Sequence, residues 1–219
     1  MCNASGLQFF IETMKPSEFN SKEVLEVGSR YVNGSIRPLI ENFSSPTKYV
    51  GVDITPGKMV DVILPAEKVL EHFGPESFDA IISTEVLEHV MDWRVVINGL
   101  KTTLRRGGCM YLTTRSKGMG YHGYPFDFWR FEIDDMKRIF SDFDILTLQE
   151  DHEDPGVFLK IKKPEKYLAS DLSGISLYSM VLGKRTARVV DIRDMPLFRK
   201  IKIKMAGEVR KMVRKIHLI

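Results

Sequence analysis

Short apolar runs alternate along this chain with stretches whose apolar residues recur at helical spacing. Near the N-terminus Leu7, Phe10, Ile11 and Met14 fall at i, i+3, i+4 and i+7, which predicts a short amphipathic helix over 5–14 with those four on its buried face. Apolar runs at 24–27, 49–54, 59–64, 78–83 and 109–113 read as strands, the first ending at Gly28. Between them, 36–43, 67–73 and 93–104 read as helices; the last of these stops at Arg105-Arg106-Gly107-Gly108, with cations at its C-terminal end and glycines after it. A helix over 133–140 follows, then strands at 143–148 and 157–161 joined only by a polar turn. Alternating strands and helices predict an α/β fold with a doubly wound, mostly parallel sheet and helices on both faces. The final pair, joined by a turn alone, is expected to be antiparallel. Ligands in such sheets bind beyond the carboxyl ends of the strands, beside strand one.

Past Pro164 the pattern is complete, and residues 165–195 show no clear period. Over 197–219, Phe198, Ile201, Met205, Val209, Met212, Val213 and Ile216 recur at three- and four-residue steps with lysines and arginines between them, a basic amphipathic helix interrupted by Gly207. Three parts are expected: an N-terminal helical segment (1–23), the α/β domain (24–164) and a basic C-terminal extension (165–219).

Charge sharpens this division. Residues 165–219 hold 13 of the 32 lysines and arginines but 5 of the 29 acids, so a basic tail sits on an acidic body. The tail helix is expected to dock on its own domain or on a second copy, giving a homo-oligomer; a membrane surface and then nucleic acid are the other partners its charge suits. Hydrophobic residues make up 43% of the chain and charged residues 28%, which excludes wholesale disorder. Two cysteines, Cys2 and Cys109, exclude a disulfide framework and a cysteine zinc site. No apolar run reaches membrane-span length, and no apolar block with a small-residue cleavage site follows Lys15, so a cytoplasmic location is expected.

Candidate chemistry gathers at strand ends. Gly28 follows the first strand, where a glycine lets backbone approach a ligand. Glu26 would repel a pyrophosphate and suits an ammonium group instead. Asp53 ends the second strand, where an acid can accept both hydroxyls of a ribose, and a turn-capping role competes for it. Glu85, Glu88 and His89, at i, i+3 and i+4, would share one helix face able to hold a divalent cation or orient a hydroxyl. The run 115–130 carries Gly118, Gly120 and Gly123, the aromatics Tyr121, Tyr124, Phe126, Phe128 and Trp129, and His122 at its centre; it reads as a mobile substrate lid.

VLEVGS, YVGVDI, FDAIISTEVLEHV and LRRGGCMYLTT, in this order, resemble the motifs of class I S-adenosylmethionine-dependent methyltransferases of the type 11-like group over residues 24–163. The resemblance implies a Rossmann-like, doubly wound, seven-stranded sheet with an antiparallel last strand, and S-adenosyl-L-methionine as cofactor. Glu26 would face the methionine ammonium, and Gly28 with Ser29, Arg30 and Gly34 would lay the methionine moiety against the backbone. Asp53 would bind the ribose diol and Ile54 the adenine. Pro65 and Ala66 would edge the adenine pocket, Ser83 and Thr84, ending strand four, would offer backbone carbonyls to the ammonium, and Glu85 beside them would belong to the same cofactor site. Arg30 stands where the family's middle glycine lies, Gly34 comes late, and Pro65 replaces an acid. His122 and His89 are the candidate catalytic residues, acting on an unidentified methyl acceptor such as a hydroxyl of a small molecule or glycan. The alternative is a catalytically silent adaptor working through its basic helix. A nicotinamide oxidoreductase is disfavoured by the missing G-x-G-x-x-G and by the terminal strand pair.

Overall fold

In a computed structural model, residues 3–123 and 125–205 are described. A seven-stranded sheet runs in the order β3-β2-β1-β4-β5-β8-β7. Its strands are β1 (Glu23–Val27), β2 (Lys48–Asp53), β3 (Val62–Ile63), β4 (Phe78–Thr84), β5 (Leu104–Arg115), β7 (Asp144–Glu150) and β8 (Gly156–Lys162). All neighbours pair in parallel except β8, which is antiparallel to both β5 and β7. The seven-stranded, mostly parallel sheet with an antiparallel last strand is as the sequence predicts. Strand order reverses between β1 and β4, which places a ligand-binding crevice at their carboxyl ends.

Period-two alternation divides the core into two layers. Val24, Ala80, Ile82, Tyr111 and Phe158 face α1 (Ala4–Thr13) and α2 (Arg37–Phe43). Leu25, Val27, Ile81, Met110, Leu112 and Leu159 lie in the larger layer with α3 (Val69–Phe73), α4 (Trp93–Thr103) and α5 (Ile133–Ile139). Both faces of the central strands are therefore dry, which is why they read as unbroken apolar runs.

Four expectations change. The face of α1 that docks is Ser5, Gly6, Phe9 and Phe10, while Ile11 is exposed. Ring contacts set this rotation, since Phe10 stacks on Tyr111 at 4.8 Å and Phe9 meets Phe158 at 5.3 Å. The strand expected at 59–64 shrinks to two residues: the Asp61 carboxylate takes the Gly51 amide at 2.7 Å, in place of a ladder carbonyl. The arginine–glycine run after α4 belongs to β5, with Arg105 held by Glu23 at 2.5 Å and Asp79 at 2.8 Å.

The last change concerns the stretch after Pro164. Leu172, Ile175, Leu177, Val181, Val190 and Met195 enter the larger core layer. Two three-residue strands, β9 (Leu177–Ser179) and β10 (Lys184–Thr186), join β6 (Trp129–Arg130) in a second antiparallel sheet. A final helix, α6, is described over 197–205. The expected continuation of that helix, with Gly207, Val209, Met212, Val213 and Ile216, lies outside the described residues, as do Cys2 and Tyr124.

Candidate active site

At the end of β1 the chain turns sharply. Gly28 has φ +78°, and its amide and that of Ser29 both donate to the Val52 carbonyl, at 2.9 and 3.1 Å. A Cβ at Gly28 would sit 2.2 Å from the Val86 side chain, so glycine is required both by conformation and by space. Glu26, just before the turn, is buried and accepts the Tyr49 hydroxyl at 2.8 Å. Burial pushes its carboxyl up to about 7, against the pull of the Tyr49 hydroxyl and the Arg37 charge.

Asp53 ends β2 half-buried. One oxygen accepts the Thr55 amide and hydroxyl, both at 3.0 Å; the other takes the Arg30 amide at 3.4 Å. Asp53 therefore does cap its turn, as the competing sequence reading allows, and keeps lone pairs free for a diol. Arg30 fills the place of the family's middle glycine by reaching away, its guanidinium on the Thr55 hydroxyl at 3.3 Å. Ile54, beside Asp53, is 61% exposed. Pro65 and Ala66 open the turn that leads into α3, and Gly34 lies in the loop before α2. The Ser29 and Ser83 hydroxyls are buried without a partner at the ends of β1 and β4. A required close-approach glycine, a free-edged carboxylate and orphaned buried hydroxyls fit a cofactor carrying an ammonium, a ribose and an adenine.

The helix face expected for Glu85, Glu88 and His89 does not form. Glu85 takes a left-handed conformation, φ +55°, as the chain leaves β4, and Leu87–His89 is a single 3₁₀ turn. Glu85 instead pairs with the buried Arg115, which also reaches Asp151 at 3.2 Å. Burial, reinforced by the neighbouring Glu88 charge, pushes the Glu85 carboxyl up to about 8 despite Arg115.

Glu88 and His89 meet His122 in its place. The three side chains bring one donor atom each within 4.8 Å of one another, and the imidazoles lie edge to face at 4.9 Å. Glu88 is fully buried; its Oε2 accepts the Thr114 hydroxyl at 2.9 Å while its Oε1 accepts no hydrogen bond. His89 Nδ1 contacts the Phe126 carbonyl, which leaves Nε2 facing Glu88 Oε1 at 3.9 Å. His122 Nδ1 lies 3.3 Å from an Asp127 oxygen, and the His122 amide donates to the same carboxylate at 2.7 Å. Burial lowers the His89 pKa. Burial pulls His122 down as well, but the bond to Asp127 and its charge outweigh this and the His122 pKa is raised.

The loop that carries His122 is not the free lid its glycines suggest. Arg130, fully buried, grips Asp127 and donates to the carbonyls of Met119, Gly120 and Trp129. Trp129 donates its indole N–H to the Met91 carbonyl at 3.1 Å, and Phe128 is buried, while Phe126 remains exposed. Asp127 and Arg130 carry no role in the sequence reading. Their i, i+3 spacing inside an aromatic run was the available signal.

Residues 4–154 match the family model described as a methyltransferase domain. No curated protein sequence matches the chain. Among solved structures, an S-adenosylmethionine-dependent methyltransferase from Mesorhizobium loti aligns with a TM-score of 0.55 and 14% identity, covering 74% of this chain and 99% of that one. The 1,6-didemethyltoxoflavin-N1-methyltransferase of Burkholderia thailandensis, with 1,6-didemethyltoxoflavin and S-adenosylhomocysteine bound, aligns at 0.55 and 15% identity, covering 67% and 72%. The N-methyltransferase NodS of Bradyrhizobium japonicum aligns at 0.56 and 13%, covering 73% and 94%. These likenesses establish the fold, and the family model spans well over half of the sequence: the chain belongs to the methyltransferase-domain family and has the class I S-adenosylmethionine-dependent methyltransferase fold.

Proposed function

We propose that the chain methylates a hydroxyl acceptor, binding S-adenosylmethionine across the ends of β1, β2 and β4 and the acceptor against Glu88, His89 and His122. One observation carries this reading. Gly28 packs directly on Val86, two residues before Glu88, so the turn after β1 lies against the segment that leads into the imidazole cluster. When bound, S-adenosylmethionine supplies a methyl group on a positively charged sulfur that leaves as a neutral thioether. Asp53 would hold the ribose, Glu26 the ammonium, and Ile54 with Ala66 the adenine. His122 Nε2 would take the acceptor's O–H proton as the methyl group is transferred, so that the proton ends on the imidazole. Asp127 fixes the Nδ1–H tautomer that leaves Nε2 free. Positioning can supply roughly 7–11 kcal/mol of such a displacement, and a base adds about 10²–10⁴-fold.

A second reading of the cluster is favoured by Glu88 Oε1, which is buried and accepts no hydrogen bond. A buried carboxylate oxygen beside two imidazoles with free Nε2 atoms suits a divalent cation such as Mn²⁺ or Zn²⁺, which would lower the pKa of a bound hydroxyl instead. Calorimetry with S-adenosylmethionine, NADH and each metal tests the assignments. S-adenosylmethionine binding supports the first reading, and tight NADH binding in its stead overturns it. Metal binding lost in Glu88→Gln supports the cation.

A further inference from the structure

We infer that α6 forms a surface that binds anionic phospholipid membranes. The helix rests on the body along one side only. Ile203 packs against the larger core layer, and one turn earlier Arg199 donates to the Met180 carbonyl at 2.9 Å. Leu197, Phe198, Ile201 and Met205 lie on the opposite side of the helix and keep between 52 and 73% of their surface exposed. Of the two dockings expected for this helix, Phe198, Ile201 and Met205 do not make the one on the chain's own domain; a second copy is an outcome of the test below. Lys200 and Lys204 flank the apolar stripe on one edge and Lys202 on the other.

An outward apolar stripe with cations along both edges is the arrangement of a helix lying in a lipid interface. The apolar side chains enter the acyl boundary and the lysine stems bring their charges up to the headgroups. The same three- and four-residue spacing continues in the sequence as Val209, Met212 and Ile216. Across 197–205 there are four lysines and arginines and no acid. That imbalance selects the occupant. Two such segments laid stripe to stripe would oppose like charges, whereas an anionic bilayer offers complementary charge along the whole length. A nucleic acid would match the charge but not the stripe, since Phe198 is the single aromatic among these residues.

The test is flotation of the full chain with vesicles of pure phosphatidylcholine and with vesicles doped with phosphatidylglycerol. Binding is expected to the doped vesicles, to fall roughly fivefold for each of Lys200→Gln and Lys204→Gln, and to weaken with salt. Phe198→Asp with Ile201→Asp, both at exposed positions, is expected to abolish binding without changing the melting temperature. The inference is overturned if the full chain ignores both vesicle types. It is equally overturned if the full chain sediments as a dimer that Phe198→Asp dissociates, or if it binds single-stranded RNA and not vesicles. None of these outcomes bears on the cofactor site, which S-adenosylmethionine calorimetry on the same variants reads separately.

Discussion

Arg130 holds Asp127 through two contacts, Nη1 to Oδ1 at 2.5 Å and Nη2 to Oδ2 at 2.8 Å, and neither side chain reaches solvent. Burial alone would raise the Asp127 carboxyl, but the Arg130 bonds and the His122 ring hold it below the usual carboxylate range. Through that carboxylate the arginine fixes both the backbone and the ring of His122.

Arg130→Met is therefore expected to cost about 3–5 kcal/mol, because it strands a buried carboxylate. Adding Asp127→Asn should recover part of the loss by removing the stranded charge. Urea unfolding of the three proteins checks this; a single variant within about 0.5 kcal/mol of wild type would mean the pair is solvated, contrary to its burial.

His122→Ala is expected to leave S-adenosylmethionine affinity unchanged and to lower turnover about 10²–10⁴-fold. Stopped assays at saturating cofactor, paired with calorimetry, separate the two effects. Collapse of cofactor affinity with normal turnover would reassign His122 to the cofactor.

Asp53→Ala should weaken S-adenosylmethionine binding by about 1.5–3 kcal/mol, the worth of hydrogen bonds to a charged group. Since Asp53 also holds Thr55 and the Arg30 amide, part of the effect is a loosened turn. Asp53→Asn keeps an acceptor for Thr55 and should lie between the two.

The sheet was legible because its central strands are buried on both faces and end at turns that glycine or polar residues mark, as at Val27–Gly28. The site was legible one residue at a time and not as a constellation. Glu85 misled because a non-glycine residue takes a left-handed conformation there, which breaks the helix that Glu85, Glu88 and His89 would otherwise share. His122 joined the cluster only through Asp127 and Arg130, a buried ion pair that helical or strand periodicity does not register. The segment 165–195 was illegible because its strands are three residues long and its apolar side chains enter the core one at a time from irregular backbone.

Glu26 makes both stability and cofactor binding depend on pH. Its carboxyl titrates near 7 in the folded chain against an ordinary value of 4.5, because burial outweighs the Tyr49 hydroxyl and Arg37. Between those values the folded state holds more protons than the unfolded one, so this group's contribution to stability is full below 4.5 and is lost as pH rises through 7. The size is about 3 kcal/mol. Glu85, raised to about 8 chiefly by burial, acts in the same direction, so the Glu26 share is read as the difference between wild type and Glu26→Gln. That variant should melt higher than wild type at pH 7.5 and match it near pH 4.5. The cofactor reverses the preference. An ammonium group beside Glu26 favours the carboxylate, so binding expels the proton that the free protein holds. S-adenosylmethionine affinity should accordingly rise with pH up to about 7 and flatten above it, approaching tenfold per unit at the acid end. Calorimetry at pH 6 in two buffers of different ionisation enthalpy should show close to one proton released. Equal heats in both buffers, with affinity flat from pH 5.5 to 7.5, would place the ammonium away from Glu26.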